Sequence, residues 1–232
     1  MNSIVIPELI IYNALESIIR YIRTDLANNT EDKHTMLYKL LGEDIDGKPV
    51  KMNRWNFFKQ AKKIFQDKNN LSVNFGYNFE VAKIISLHII LPSETAAESA
   101  IGQDEGYGQT VNEDGEVETY FTQNFNSTYQ VMITSNNSSE VMTVYHILKS
   151  LLLMIFPHLE IMGLRLNKLS GNDIMFRDEM MPNGIFHKVL NISSNYELKV
   201  PSMLQSEIIR GIVVDGHLVD NIKNPCPICG KD

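Results

Sequence analysis

Residues 127–201 decide the fold, and they read STYQVMITSNNSSEVMTVYHILKSLLLMIFPHLEIMGLRLNKLSGNDIMFRDEMMPNGIFHKVLNISSNYELKVP. The first part alternates between apolar and polar residues, with Tyr129 and Ile133 on one face, as a half-buried strand does. From Ser138 the apolar residues recur at the period of an amphipathic helix, and after Gly163 the strand pattern returns. A strand, a helix and two further strands in this order indicate a sheet with a helix packed across it.

The fold class predicted from this pattern is α+β, with a mainly antiparallel β-sheet. The sheet is expected to contain strands at 120–134, 164–169 and 187–199, with an amphipathic helix over 139–156 packed across it and a helix over 7–27 flanking it. A further strand is expected over 81–91. Pro157 is expected to end the long helix, since proline lacks the N–H that a helix interior needs. Ser138 or Ser139 is the expected N-cap.

The chain divides into two parts on this interpretation. Residues 1–200 form the α+β domain, in which 30–80 is a helical insertion and 93–118 is an acidic loop or hairpin. Residues 201–232 form a C-terminal arm. The hairpin prediction depends on Asn112-Glu113-Asp114-Gly115, a turn sequence between two short apolar stretches.

Composition excludes several classes of protein. The hydrophobic fraction of 44% is enough for a core. No apolar run approaches the ~20 residues of a membrane span, so no membrane partner is expected. The first apolar stretch contains Glu8 and Glu16 and lacks a basic start, which argues against a signal peptide. Six scattered histidines and the absence of a nucleophile, phosphate-loop or dinucleotide motif predict that the protein is not an enzyme.

The net charge of −7 is concentrated in one segment. Residues 93–118 hold eight acidic residues and no lysine or arginine, so the rest of the chain is close to neutral. Such a segment is typical of a solvated surface loop. In a ring-shaped assembly the same charge at a pore would repel DNA phosphates and let the duplex slide without sticking.

The order of elements resembles the tail-terminator and neck proteins of tailed bacteriophages. The resemblance lies in the strand over 131–135, the helix opened by Ser139-Glu140 and the turn Leu169-Ser170-Gly171-Asn172-Asp173. It continues in the strand that follows Pro182-Asn183-Gly184, and in the N-terminal amphipathic helix. It covers about 90 residues in two separated parts. Residues 30–80 and 202–232 depart from the family pattern.

This resemblance implies a structural virion protein rather than a catalyst. Such a head–tail connector subunit forms a homo-oligomeric ring at the junction, contacts other neck or tail rings, and lets genomic DNA pass through its lumen without sequence-specific binding. Its expected location is the virion, after assembly in the host cytoplasm. A ring of six and a ring of twelve copies are equally compatible with the sequence.

A rival interpretation comes from the last residues, Asn224-Pro225-Cys226-Pro227-Ile228-Cys229-Gly230. Two cysteines in a tight turn followed by glycine have the form of half a zinc site. His217 is the nearest candidate for a third ligand, and Asp215 or Asp220 for a fourth; a neighbouring subunit is an alternative source. The segment also fits an exposed tail with two reduced thiols and no metal. A zinc-stabilised protein–protein interaction module is therefore the alternative function.

Overall fold

The computed structural model describes residues 5–42, 57–76, 85–97, 106–111, 115, 117–172, 184–201, 213–214 and 217–218. The helices are α1 (Pro7–Asn28), a 3-10 turn (Asp32–His34), α2 (Met36–Leu41), α3 (Phe57–Gln66) and α4 (Ser138–Ile161). The strands are β1 (Leu71–Phe75), β2 (Ile85–Ala96), β3 (Gly106–Val111), β4 (Val117–Ser135), β5 (Arg165–Asn172), β6 (Phe186–Pro201), β7 (Val213–Val214) and β8 (His217–Leu218). The fold is α+β, as the sequence predicts.

The chain divides into two compact units. The main unit consists of Val5–Ala96 and Phe125–Tyr196, and the second unit of 1–4, Ala97–Asn124 and Glu197–Asp232. The strands of the main unit lie in the order β1, β2, β4, β6, β5. β1 runs parallel to β2, whereas β2 pairs antiparallel with β4, and β5 with β6. The sheet is therefore mixed, and the parallel pair of β1 and β2 lies at one of its edges.

The core of the main unit lies between one face of this sheet and the helices. The apolar stripe of α1 is buried throughout; it consists of Ile11, Leu15, Ile18, Ile22 and Leu26. α4 packs on α1, α3 and β5. Its inward residues join Val131 and Ile133 of β4 in one apolar cluster. Gly171 of β5 makes room for α4, because a Cβ there would lie only 1.7 Å from the Tyr145 hydroxyl oxygen.

α4 differs from its prediction at both ends. The N-cap is Asn137, whose side chain accepts a hydrogen bond from the Ser139 N–H; the prediction of a serine cap was wrong. The helix also continues through Pro157 to Ile161. The proline ring faces solvent, and burial of Leu159 beyond it holds the last turn on the core, which offsets the lost backbone hydrogen bond.

α4 also meets the length and hydropathy criteria of a membrane span. Half of its most apolar window is buried inside the main unit. A core helix meets the same criteria, so this is weak evidence for a span.

Two strands differ from the prediction. β1 was not predicted, although its buried Leu71 and Val73 pair with β2 inside the segment expected to be a helical insertion. β2 does not stop before Pro92 but continues to Ala96. The register of β2 against β4 shifts between Ile90 and Ser93, so Pro92 lies at this irregularity. A sheet tolerates proline there, because no regular hydrogen bond requires its missing N–H.

The second unit contains an antiparallel pair in the acidic segment. β3 pairs with the first part of β4, from Gly106 opposite Thr122 to Val111 opposite Val117. The Tyr120 ring crosses Gly108, where a Cβ would lie 2.6 Å from it, and Lys199 lies 5.2 Å from the ring centre. The predicted turn at 112–114 and most of the acidic residues lie outside the described residues. β7 and β8 form a separate two-stranded ladder.

Leu148 tests whether α4 organises the core. Its side chain is 0% exposed, and Leu148→Ala is expected to lower the free energy of unfolding by about 2–5 kcal/mol, through lost burial and an unfilled cavity. Leu153→Ala, on the same helix but 51% exposed, is the matched control and should cost under about 1 kcal/mol. Urea denaturation followed by circular dichroism measures both; equal losses would contradict the packing.

Candidate assembly surface

The predicted metal residues lie largely outside the described part of the chain. Cys226, Cys229, Asp215 and Asp220 all do, and His217 is described only as a backbone position of β8, opposite Val214. Among the residues that the structure describes, no group of three or more His, Cys, Asp or Glu side chains is arranged to hold a metal ion. The zinc site therefore stays a prediction.

A cavity of about 200 Å³ opens where β4 meets the start of α4. Its lining is polar and includes Lys63 and Glu140. The polar groups bond one another: Glu140 accepts from the Ser135 hydroxyl at 2.8 Å, and Gln60 bonds both Ser139 and Thr143. This network holds α3 against α4 and contains no nucleophile–base pair. These hydrogen bonds therefore have a structural role, since they connect the two helices.

The most unusual surface of the main unit is apolar and lies where α4 ends and α1 begins. We call it the helix-end patch; it consists of Ile6, Leu9, Leu153, Met154, Ile161 and Met162, all exposed. Ile161 alone is 81% exposed. The two helix ends are close together at Val5 and Gly163, because a Cβ on Gly163 would lie 3.3 Å from the Val5 side chain. Because groups of exposed apolar side chains mark interaction sites, this is the candidate interaction surface of the main unit.

The two edges of the main sheet are poorly suited to pair with another chain. β1, at one edge, has only five residues. β5, at the other, exposes Arg165 and Lys168 and has an irregular register between Leu166 and Lys168. Short strands, basic side chains and bulges are the usual protections of an edge strand. The helix-end patch is thus a better assembly surface than the sheet edges.

A tyrosine and a carboxylate are paired across two strands of the main sheet. The Tyr196 hydroxyl donates a hydrogen bond to the Glu94 carboxylate at 2.6 Å, and the Tyr196 ring stacks on Phe125 at 5.5 Å. Burial raises the pKa of Tyr129 to about 12; Ser127 slightly opposes this, and the negative charges of Glu8 and Glu94 add to it. Burial, then Glu94, likewise raises the pKa of Tyr196. We call Glu8, Glu94, Tyr129 and Tyr196 the acidic tyrosine site.

Sequence analysis did not identify this site, because Glu94 and Tyr196 lie 102 residues apart. Only the sheet brings them together: Glu94 of β2 is opposite Ser127 of β4, whose hydroxyl lies 3.1 Å from that of Ser194 on β6. No local motif signals such a constellation.

The opposite face of the sheet holds two histidines. His88 of β2 is almost fully buried opposite Met132, and its Nδ1 lies 3.1 Å from the Gly76 carbonyl oxygen. Burial lowers the pKa of His88, and the Gly76 hydrogen bond partly offsets this. Burial also lowers the pKa of His187 on β6, with a further lowering from His88. Both side chains therefore favour the neutral form.

No protein-family model and no curated protein matches this sequence.

The histidine pair predicts a loss of stability in acid. The unfolded chain takes up protons as the pH falls through about 6.5, whereas folded His88 resists protonation, so the free energy of unfolding decreases. The slope is expected to reach at most about 1.4 kcal/mol per pH unit for one histidine. Urea denaturation of the wild type and of His88→Asn between pH 7.5 and 5 measures it. The variant should have the smaller slope; identical slopes would contradict the prediction.

Proposed function

We propose that this chain is a structural subunit of a tailed-bacteriophage virion. It forms a homo-oligomeric ring of the tail-terminator or neck type at the head–tail junction, and it meets other neck or tail rings there. Genomic DNA passes through the lumen of the ring without sequence-specific contacts. The protein assembles in the host cytoplasm and remains in the virion. The proposal starts from the order of elements in residues 127–201, with which the α+β fold agrees.

The helix-end patch is the observation that carries the proposal. A subunit that works alone gains nothing from Leu153, Met154 and Ile161 in water. Full burial of such a side chain is worth about 1.5–3 kcal/mol, and all three are more than half exposed. A ring subunit, by contrast, needs surfaces that neighbouring copies cover. The protected sheet edges leave that role to the patch.

The chemistry of the described residues agrees with a structural role. Hydrogen bonds connect the polar side chains at the cavity near the start of α4, such as that from Ser135 to Glu140. The acidic segment would bring negative charge from every copy into the ring. At a lumen this charge lowers the attraction between protein and phosphate and favours sliding of the duplex.

The patch can be tested on the purified protein. The double variant Leu153→Glu/Met154→Glu places two charges in the proposed interface and is expected to give folded monomers, because burying an unpaired carboxylate costs several kcal/mol. Met142→Glu is the matched control: it lies at the other end of α4, is 39% exposed, and should assemble normally. Native mass spectrometry and light scattering measure the oligomeric state, and circular dichroism measures the fold.

Two results would contradict the proposal. One is a double variant that assembles as the wild type does. The other is a wild-type protein that stays monomeric at the concentrations at which virion rings assemble.

A further inference from the structure

Two lysines of the main unit approach the same aromatic ring. The ammonium nitrogen of Lys188, on β6, lies 4.9 Å from the centre of the Tyr145 ring, and that of Lys149, on α4, lies 5.8 Å from it. The separation of the two nitrogens therefore cannot exceed the sum of these distances. The His146 ring meets the Tyr145 ring edge-on, with 5.1 Å between the ring centres. We call Tyr145, His146, Lys149 and Lys188 the basic cluster.

The ring that gathers these groups is held in place by the fold. The Tyr145 side chain is only 5% exposed, and its hydroxyl packs against Gly171 of β5, where a Cβ would lie 1.7 Å from the hydroxyl oxygen. An ammonium group over an aromatic ring is attracted by the negative face of the ring. Two flexible side chains from different elements are thus kept near one fixed point.

The cluster concentrates positive charge at that point. Lys149 forms none of the ion pairs found among the described residues. Burial lowers the pKa of His146, and the charges of Lys188 and Lys149 lower it further, so this imidazole is a neutral hydrogen-bond donor at pH 7. Like charges held near one another repel, and a bound anion would offset the repulsion.

Phosphate is the anion that suits the cluster. A lysine ammonium group is a compact point charge that commonly binds phosphate, whereas paired recognition of a carboxylate favours the flat fork of arginine. Both lysines are half-buried and His146 is exposed, so a group in solution can reach them. Duplex DNA carries a phosphate about every 3.4 Å along each strand, so its backbone can offer one phosphate to each lysine.

We propose that the basic cluster binds the phosphate backbone of duplex DNA, with Lys149 and Lys188 each at a phosphate and His146 donating a hydrogen bond to a phosphate oxygen. Such contacts carry no sequence information, because every base pair has the same backbone. Two phosphate contacts hold a duplex only weakly and let it move. The site goes beyond the proposed ring, since all four residues belong to one chain and need no second copy.

DNA binding by the full-length protein tests the site. Fluorescence anisotropy with a short labelled duplex, between about 50 and 200 mM salt, measures the affinity and its salt dependence. Lys149→Gln/Lys188→Gln is expected to weaken binding at least about tenfold at the lowest salt. It should also reduce the slope of log affinity against log salt by about 2, and each single variant by about 1, because each lost phosphate contact releases fewer counterions.

Two variants serve as controls. Lys39→Gln/Lys63→Gln removes the same charge from exposed positions on α2 and α3 and should leave the slope unchanged. Lys149→Arg/Lys188→Arg keeps the charge of the cluster and should bind DNA about as the wild type does. Circular dichroism checks the fold of each variant. A glutamine double variant that binds with wild-type affinity and slope would overturn the inference, as would a wild type that does not bind the duplex.

Other anions distinguish the sources of the phosphate chemistry. Inorganic phosphate and polyglutamate are titrated into the wild type by calorimetry, and both are expected to bind more weakly than the duplex. If inorganic phosphate binds through the two lysines while the duplex does not bind, the cluster is a small-anion site and the inference is overturned. Polyglutamate that binds as tightly as DNA would indicate an acidic protein partner and would overturn it too.

The oligomeric state separates this inference from the proposed function. Native mass spectrometry of Lys149→Gln/Lys188→Gln should show the same assembly as the wild type, because the cluster is not part of the helix-end patch. A wild type that forms rings without binding DNA overturns the inference and leaves the ring proposal intact. A wild type that binds DNA through the two lysines but stays monomeric has the opposite consequence.

Discussion

The burial of α4 is the constraint on which the rest of the structure depends. Its inward face supplies Val144, Leu148 and Leu152 to a core shared with the sheet, α1 and α3. The helix is 24 residues long, longer than one core needs, and its last turns extend beyond Pro157. Apolar residues of α4 that remain exposed, on both sides of Pro157, belong to the helix-end patch. The same element thus supplies core residues on one side and exposed apolar residues on the other.

The long strands have a similar double role. β2 and β4 contribute their central residues to the core, and β2 continues past Pro92 to place Glu94 opposite Ser127. Since β6 brings Tyr196 to the same place, three strands assemble this group of polar side chains. Apolar area together with charged groups is the usual composition of a specific protein interface, where burial gives affinity and charge selects the partner.

Sequence periodicity predicted the elements whose residues face one common core. α1 and the centre of α4 followed the 3.6-residue period, and β4 followed strict alternation, because each has one covered side. β1 was not predicted, because it has only five residues. Two buried apolar residues, Leu71 and Val73, are too few to show the alternation that identifies a strand. The continuation of α4 beyond Pro157 depends on the burial of Leu159, which no local pattern indicates. The choice of Asn137 as the N-cap depends on side-chain geometry, and a serine could have formed the same hydrogen bond.

The candidate site could not be predicted, because its residues come from α1, β2, β4 and β6 and meet only in the folded unit. The sequence indicated instead the two cysteines of the arm, where a local motif was visible. The central claim, a ring of identical subunits, is tested most directly by electron microscopy of the purified wild-type protein. Closed rings with a central channel are the predicted result. A homogeneous population of single subunits would contradict the account.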